Sequence, residues 1–254
     1  MEAAFKTHIG RVRQTNEDAG AIQSLQEGWV LAIVADGMGG HKAGDVASQM
    51  AVERISAHLH GLSFPMDITE IENQVDSAIY LANQEIFQYA KDNPECSGMG
   101  TTVVIAVVNE HGGVLAHIGD SRIYRWHEGQ LQLLTNDHTL VNELLKNHQI
   151  TPEEAITHPR RNIITRAVGT DEVVEADFSM VEWQVGDLLL LCSDGLHGKV
   201  PQEEMERILQ EVDLEKAAEE LVHLALEAGG QDNITVALLK HNKPGHREKG
   251  GTKT

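Results

Sequence analysis

Between residues 101 and 134 the chain reads as four short apolar stretches, 101–108, 114–118, 123–126 and 131–134, with Gly-containing turns between them. The turns Asn109-Glu-His-Gly-Gly113 and His127-Glu-Gly129 are far too short for a helical crossover, which needs a dozen or more residues. These strands are therefore expected to run antiparallel, with His117 inside a strand pair, and a doubly wound parallel sheet is disfavoured. Three further runs, 30–35, 187–192 and 234–239, are almost continuously apolar. That pattern suits strands buried on both faces.

Helical spacing governs the rest. Ala43, Val46, Ala47, Met50, Ile55 and Leu59 recur with a helical period, and so do Ile71, Val75, Ile79, Ala82 and Ile86. A shorter helix is expected after Pro201, followed by another carrying Leu214, Ala217, Ala218, Leu221, Val222 and Ala225. Antiparallel sheets with helices on their outer faces, an α+β arrangement, satisfy all of these elements. Residues 146–172 hold one short helical piece near Pro152 and little apolar periodicity, but carry His158, Arg160, Arg161 and Arg166. A segment of that length is expected to be a functional flap.

A chain of 254 residues is compatible with one domain over residues 1–241. The remaining residues, 242–254, are rich in Gly and Lys and lack packing side chains, so a disordered tail is expected there. Against 20 Lys and Arg stand 39 Asp and Glu, a formal net charge of -19 that repels polyanions and disfavours nucleic acid as a partner. Most of that excess can be solvated surface, but some of it can be gathered to bind cations. The two cysteines, Cys96 and Cys192, form no paired spacing, which fits a cytoplasmic address. No signal-like or membrane-spanning apolar run is present.

Four aspartates sit where apolar strands end or begin: Asp36, Asp120, Asp194 and Asp232. Any one of them serves equally well as a turn former or helix cap. Strand ends can converge on one rim, however, and carboxylates that meet there need protons or cations between them. Oxygen donors without a His or Cys cluster favour hard ions, Mg²⁺ or Mn²⁺. Gly neighbours (Asp36-Gly37, Gly119-Asp120, Asp194-Gly195) leave room for a backbone carbonyl to approach an ion. The run Asp36-Gly-Met-Gly-Gly-His-Lys-Ala-Gly44 could instead cradle a phosphate, but it lacks the Gly-Lys-Ser/Thr ending, and its leading carboxylate would repel a phosphate unless a cation lay between.

With these residues assembled, the chain resembles the metal-dependent protein phosphatase family, type 2C, in its bacterial single-domain form. The matching stretches are Arg13-Gln-Thr-Asn-Glu-Asp18, Ala35-Asp-Gly-Met-Gly-Gly-His41, Gly100-Thr-Thr102, Gly119-Asp-Ser-Arg122, Asp137-His138, Ser193-Asp-Gly-Leu196 and Asp232-Asn-Ile-Thr235, in family order. The resemblance implies a four-layer α-β-β-α sandwich of two antiparallel sheets flanked by helices, with ions in a cleft at one end. It implies that Asp36 bridges two ions, that the Gly37 carbonyl assists at one, and that Asp194 and Asp232 complete the other. Asp120 and Asp194 match a third, weaker ion site, and Asp18 and Glu17 match groups that hold metal-bound waters.

By the same resemblance, a metal-bridged hydroxide attacks phosphorus in line while Arg13 binds the phosphate and His41 protonates the serine or threonine leaving oxygen. Phosphorylated proteins are the implied substrates, a Ser/Thr kinase the opposing partner, and a monomer the implied state. His138 and His158 match recurrent family positions without an assignable chemistry. One departure stands out, His197 in Ser193-Asp-Gly-Leu-His-Gly198, where relatives usually carry Thr or Trp followed by Asp or Asn after the leucine. Rival functions are a two-metal phosphoesterase acting on a nucleotide or small metabolite, and a non-catalytic binding module. The second would predict eroded ligands, and these are intact.

Overall fold

A computed structural model describes residues 1–39, 43–211 and 213–242. In chain order its elements are β1 (Glu2–His8), β2 (Asp18–Ser24), β3 (Val30–Met38), α1 (Gly44–His60), α2 (Ile68–Asp92), β4 (Gly100–Thr101), β5 (Val103–Asn109), β6 (Gly112–Ile118), β7 (Arg122–His127) and β8 (Gln130–Leu133). There follow α3 (Leu140–Lys146), α4 (Pro152–Thr157), β9 (Asp177–Val181), β10 (Leu188–Cys192), α5 (Asp194–His197), α6 (Gln202–Ile208), α7 (Leu214–Glu227) and β11 (Ile234–Lys240). The strands form two sheets, one in the order β1-β11-β10-β7-β8 and one in the order β2-β3-β5-β6-β9 with β4 paired to β3. Among the described residues every pairing is antiparallel, which the short turns require of β5 with β6 and of β7 with β8.

Successive side chains of a strand point to opposite faces, and the continuous apolar runs use both. In β3, Leu31, Ile33 and Ala35 join the core under α1 and α2, whereas Ala32 and Val34 join the layer between the sheets. In β10, Leu188, Leu190 and Cys192 pack beneath α6 and α7, whereas Leu189 and Leu191 face the other sheet. β11 divides likewise, with Val236 and Leu238 toward the helices and Ala237 and Leu239 toward the opposite sheet. Three apolar layers therefore separate four layers of structure, the predicted α-β-β-α sandwich.

The helices obey their spacing. α1 buries Ala47, Ala51, Ile55 and Leu59, and α2 buries Ile71, Val75, Ile79, Ala82 and Ile86. A capping box at Asp67 and Glu70 starts α2, and a second at Thr151 and Glu154 starts α4. His117 lies in β6 between Val104 of β5 and Asp177 of β9. Among the described residues no helix is long and apolar enough to cross a membrane. The expected tail falls, beyond Asn242, outside the described residues.

Leu190 is completely buried in the layer beneath α6 and α7. Leu190→Ala is expected to lower the unfolding free energy by about 2–5 kcal/mol, because the cavity it leaves cannot fully collapse. Urea unfolding with an unchanged m-value checks this, and a loss under 1 kcal/mol, read with reference to the same range, would show that the layer is not close-packed.

Candidate metal centre and active site

Both sheets deliver acidic residues to the same end of the sandwich. The register of β2 with β3 sets Asp18 directly opposite Asp36, so the two side chains share a face. In the other sheet Ser193 N–H donates to the Thr235 carbonyl (3.1 Å), which sets Asp194, just after β10, near Asp232, just before β11. Asp120 follows β6, whose end pairs with the start of β5. Asp18 also ties the sheets together, since Ser193 Oγ donates to its Oδ2 (2.7 Å).

The backbone at Asp36 is gripped by two threonines. Its N–H donates to Thr102 Oγ1 (3.0 Å), and its carbonyl accepts from Thr101 Oγ1 (3.0 Å) and Thr102 N–H (2.9 Å). Gly37 must be glycine, because a Cβ there would overlap the Gly44 carbonyl oxygen, and its N–H donates to the Glu17 carbonyl (3.0 Å). Asn233 organises the loop that carries Arg13 and Glu17. Its Nδ2 donates to the carbonyls of Ile9 (2.8 Å) and Thr15 (3.0 Å), and its Oδ1 accepts from Glu17 N–H (2.7 Å). Thr101, Thr102, Ser193, Asn233 and Thr235 lay inside the recognised sequence strings without an assigned role; their adjacency to the aspartates was the available signal.

Electrostatically, Asp36 is the centre. Burial, and then the charges of Asp18, Asp194, Asp120 and Asp232, hold its carboxyl well above the usual range. Burial likewise pushes Asp18 up to about 7, against hydrogen bonds from Ser193 and Thr235 and reinforced by Asp194 and Asp232. Asp120 rises to about 7 through burial and the neighbouring Asp194 and Asp137. Asp194 is raised by burial and by Asp232, and Glu17 by burial. The one cation engaged at the mouth among the described residues is Arg13, whose Nη2 meets Asp232 Oδ2 at 2.8 Å and whose Nη1 lies 3.6 Å from Glu17 Oε2. His41, matched to the leaving-group acid, lies outside the described residues.

These residues suit divalent cations. All donors are hard oxygens, and Asp18 Oδ1 is buried without a hydrogen-bond partner. The carboxylates are more widely spaced than a tight cage: among the described residues only His117, His138 and Asp177 bring three ligand-type atoms within 4.8 Å of one another. An ion near Asp36 would complete its shell with backbone carbonyls and waters.

The histidine group is a poor match for an ion. His138 Nδ1 accepts from Gly119 N–H (3.2 Å), which leaves the proton of a neutral ring on Nε2, 3.4 Å from Asp177 Oδ2. The His117 and His138 rings stack with centroids 4.7 Å apart and planes 23° apart, so their in-plane lone pairs do not converge on one point. Asp177 is already paired with Arg166 (3.0 Å).

A pH dependence follows for the ion-free protein. Asp36, Asp18 and Asp120 hold protons in the folded state above the ~3.9 of an unfolded Asp. Between that value and about 7 the folded state binds more protons than the unfolded chain, so stability falls as pH rises through this window. Thermal melts in chelator are expected to drop across it, Mg²⁺ or Mn²⁺ to restore the loss near neutrality, and Asp36→Asn to flatten the slope. A melting temperature that rises across this window and is insensitive to added ions would contradict the account.

The comparisons agree with this geometry. The family model described as Protein phosphatase 2C matches residues 6–235. The chain is 44% identical over 243 residues to the serine/threonine phosphatase stp of Listeria innocua, covering 95% of this chain and 96% of that protein. It is 39% identical over 244 residues to the protein phosphatase PhpP of Streptococcus pneumoniae, covering 96% and 98% respectively. The crystal structure of the serine/threonine phosphatase Stp1 from Staphylococcus aureus superposes with a TM-score of 0.89 at 40% identity, over 96% of this chain and 95% of that one. That of the Mycobacterium tuberculosis serine/threonine phosphatase PstP/Ppp gives 0.86 at 38% identity, over 95% and 99%. With a matching model spanning nearly all the strands and relatives aligned end to end, the chain belongs to the protein phosphatase 2C family of metal-dependent phosphatases.

Proposed function

We propose that this protein hydrolyses phosphoserine and phosphothreonine on other proteins with Mg²⁺ or Mn²⁺, in the cytoplasm, as a monomer acting against a Ser/Thr kinase. The observation that carries the chemistry is the set of mutually repelling carboxylates around Asp36, with a guanidinium at its mouth. Asp36 would contact two ions, Asp194 and Asp232 would complete one shell, the Gly37 carbonyl would assist at the other, and Asp120 with Asp194 would hold a third. When bound, such ions lower the pKa of a water nucleophile and offset the charge of the phosphoryl group.

The remaining work falls to the chain's own groups. Arg13 is half exposed and offers a planar fork to two phosphate oxygens. Its Nη2 donates to Asp232 Oδ2, which holds the guanidinium at the mouth of the site, where it would meet a phosphate. Asp18 Oδ1 and Glu17 are acceptors that can orient water beside the ions. His41 is the proposed proton donor to the leaving oxygen. Residues 146–172 are the proposed flap that would select among protein substrates, a reading supported by the bridges Thr139 to Ile164 and Thr101 to Val168 that tie this segment to the body.

Asp194→Ala and Asp232→Ala are each expected to reduce Mn²⁺-dependent phosphate release from a phosphothreonine peptide to background; retained activity in both would overturn the ligand assignment. Arg13→Ala should raise KM about tenfold, consistent with loss of a charge-assisted bond worth ~1.5–3 kcal/mol. Turnover on nucleotides equal to that on phosphopeptides would instead favour a small-molecule phosphoesterase.

A further inference from the structure

Asp120 differs from the other acidic residues of the rim in how it is held. Among the described residues no side chain donates a hydrogen bond to its carboxylate, so the direction of that group is set through its backbone. The preceding Gly119 has φ +96°, in the left-handed region, and a Cβ there would press on the Thr102 side chain. A glycine turn of this kind is intrinsically free to move. Something else must fix it.

Two imidazoles meet this turn. His138 takes hold of Gly119 at both polar groups: its backbone N–H donates to the Gly119 carbonyl (2.8 Å), and its Nδ1 accepts from the Gly119 N–H (3.2 Å). His197 reaches the next residue, with Nε2 3.0 Å from the Asp120 carbonyl oxygen. A carbonyl only accepts, so His197 Nε2 carries the proton. His197 also ends α5, the single helical turn that begins with Asp194. One bond therefore links the backbone of Asp120 to the helix bearing Asp194, whose charge raises the Asp120 carboxyl.

We propose that His197 and His138 are positioning residues that clamp the Gly119–Asp120 turn and hold the Asp120 carboxylate toward Asp194 for an auxiliary divalent cation. The inference rests on the assignment of Asp120 as an ion ligand made above. Neither histidine touches the ion or the substrate. Their effect is to remove the freedom of a glycine turn before the cation arrives, so that binding does not have to order it.

The test is Mn²⁺ binding to the chelator-stripped full chain by calorimetry, with metal-free melting temperatures alongside. His197→Leu is expected to weaken the weakest Mn²⁺ site by about tenfold, in the range found when a group orienting a ligand is lost, and to leave the tighter sites unchanged. His197→Gln, which keeps a donor near the Nε2 position, should restore that site; His138→Leu should weaken it, and His138→Asn, which keeps an acceptor near Nδ1, should restore it in part. In the Asp120→Ala background, His197→Leu should have no further effect on Mn²⁺ binding. If His197→Leu does not fold, His197→Asn, too short to reach the carbonyl, takes its place. Unchanged binding in the His197 variant while Asp120→Ala loses a site would overturn the clamp alone, as would equal weakening of all sites or failure of the Gln variant to rescue. Binding unchanged in Asp120→Ala would overturn the ligand assignment on which the clamp depends.

Discussion

Repulsion among carboxylates is the constraint around which this molecule is organised. Asp36 is buried at the meeting point of Asp18, Asp120, Asp194 and Asp232, and burial and then their charges raise its carboxyl well above the usual range. Such an arrangement is stable only with protons or cations among the oxygens. The supporting polar groups are correspondingly specific. Thr101 and Thr102 hold Asp36, Ser193 holds Asp18, and Asn233 holds the loop of Arg13 and Glu17. The fold contributes rigidity, and the rim retains the unbalanced charge.

The two sheets contribute differently to the mouth of the site. Arg13 stands on the loop between β1 and β2, yet its partner Asp232 belongs to the entrance of β11. That pair sets a positive charge against the carboxylate of Asp232.

Legibility in the sequence followed burial. β3, β10 and β11 are apolar on both faces and stand out as continuous runs, whereas β1, β2 and β9 leave no such run in the sequence. These three lie at sheet edges: β1 buries only Ala4 completely, and β9 only Val181. An edge strand with one exposed side and mixed small and polar residues carries a weak period. α3 carries no readable period, because it is a single pair of turns with Val141 as its buried residue. At the site, the aspartates were legible from their places at strand ends, but the Asp18 to Asp36 register was not, because β2 itself was unseen. His197 was visible only as a departure from pattern. Its contact with the Asp120 carbonyl depends on α5 folding back on the turn after β6, which no local spacing encodes.

The bond from Ser193 to Asp18 joins a residue after β10 to one on β2, and so crosses from one sheet to the other. The acidic rim is thereby assembled from both halves of the sandwich, with Leu189, Leu191, Ala32 and Val34 filling the layer behind it. An ion seated across that rim would be held by groups from both sheets at once. Sheet spacing and cation affinity would then be coupled: a packing defect deep in the shared layer would be felt at the rim, and loading of the rim would stiffen the layer in return.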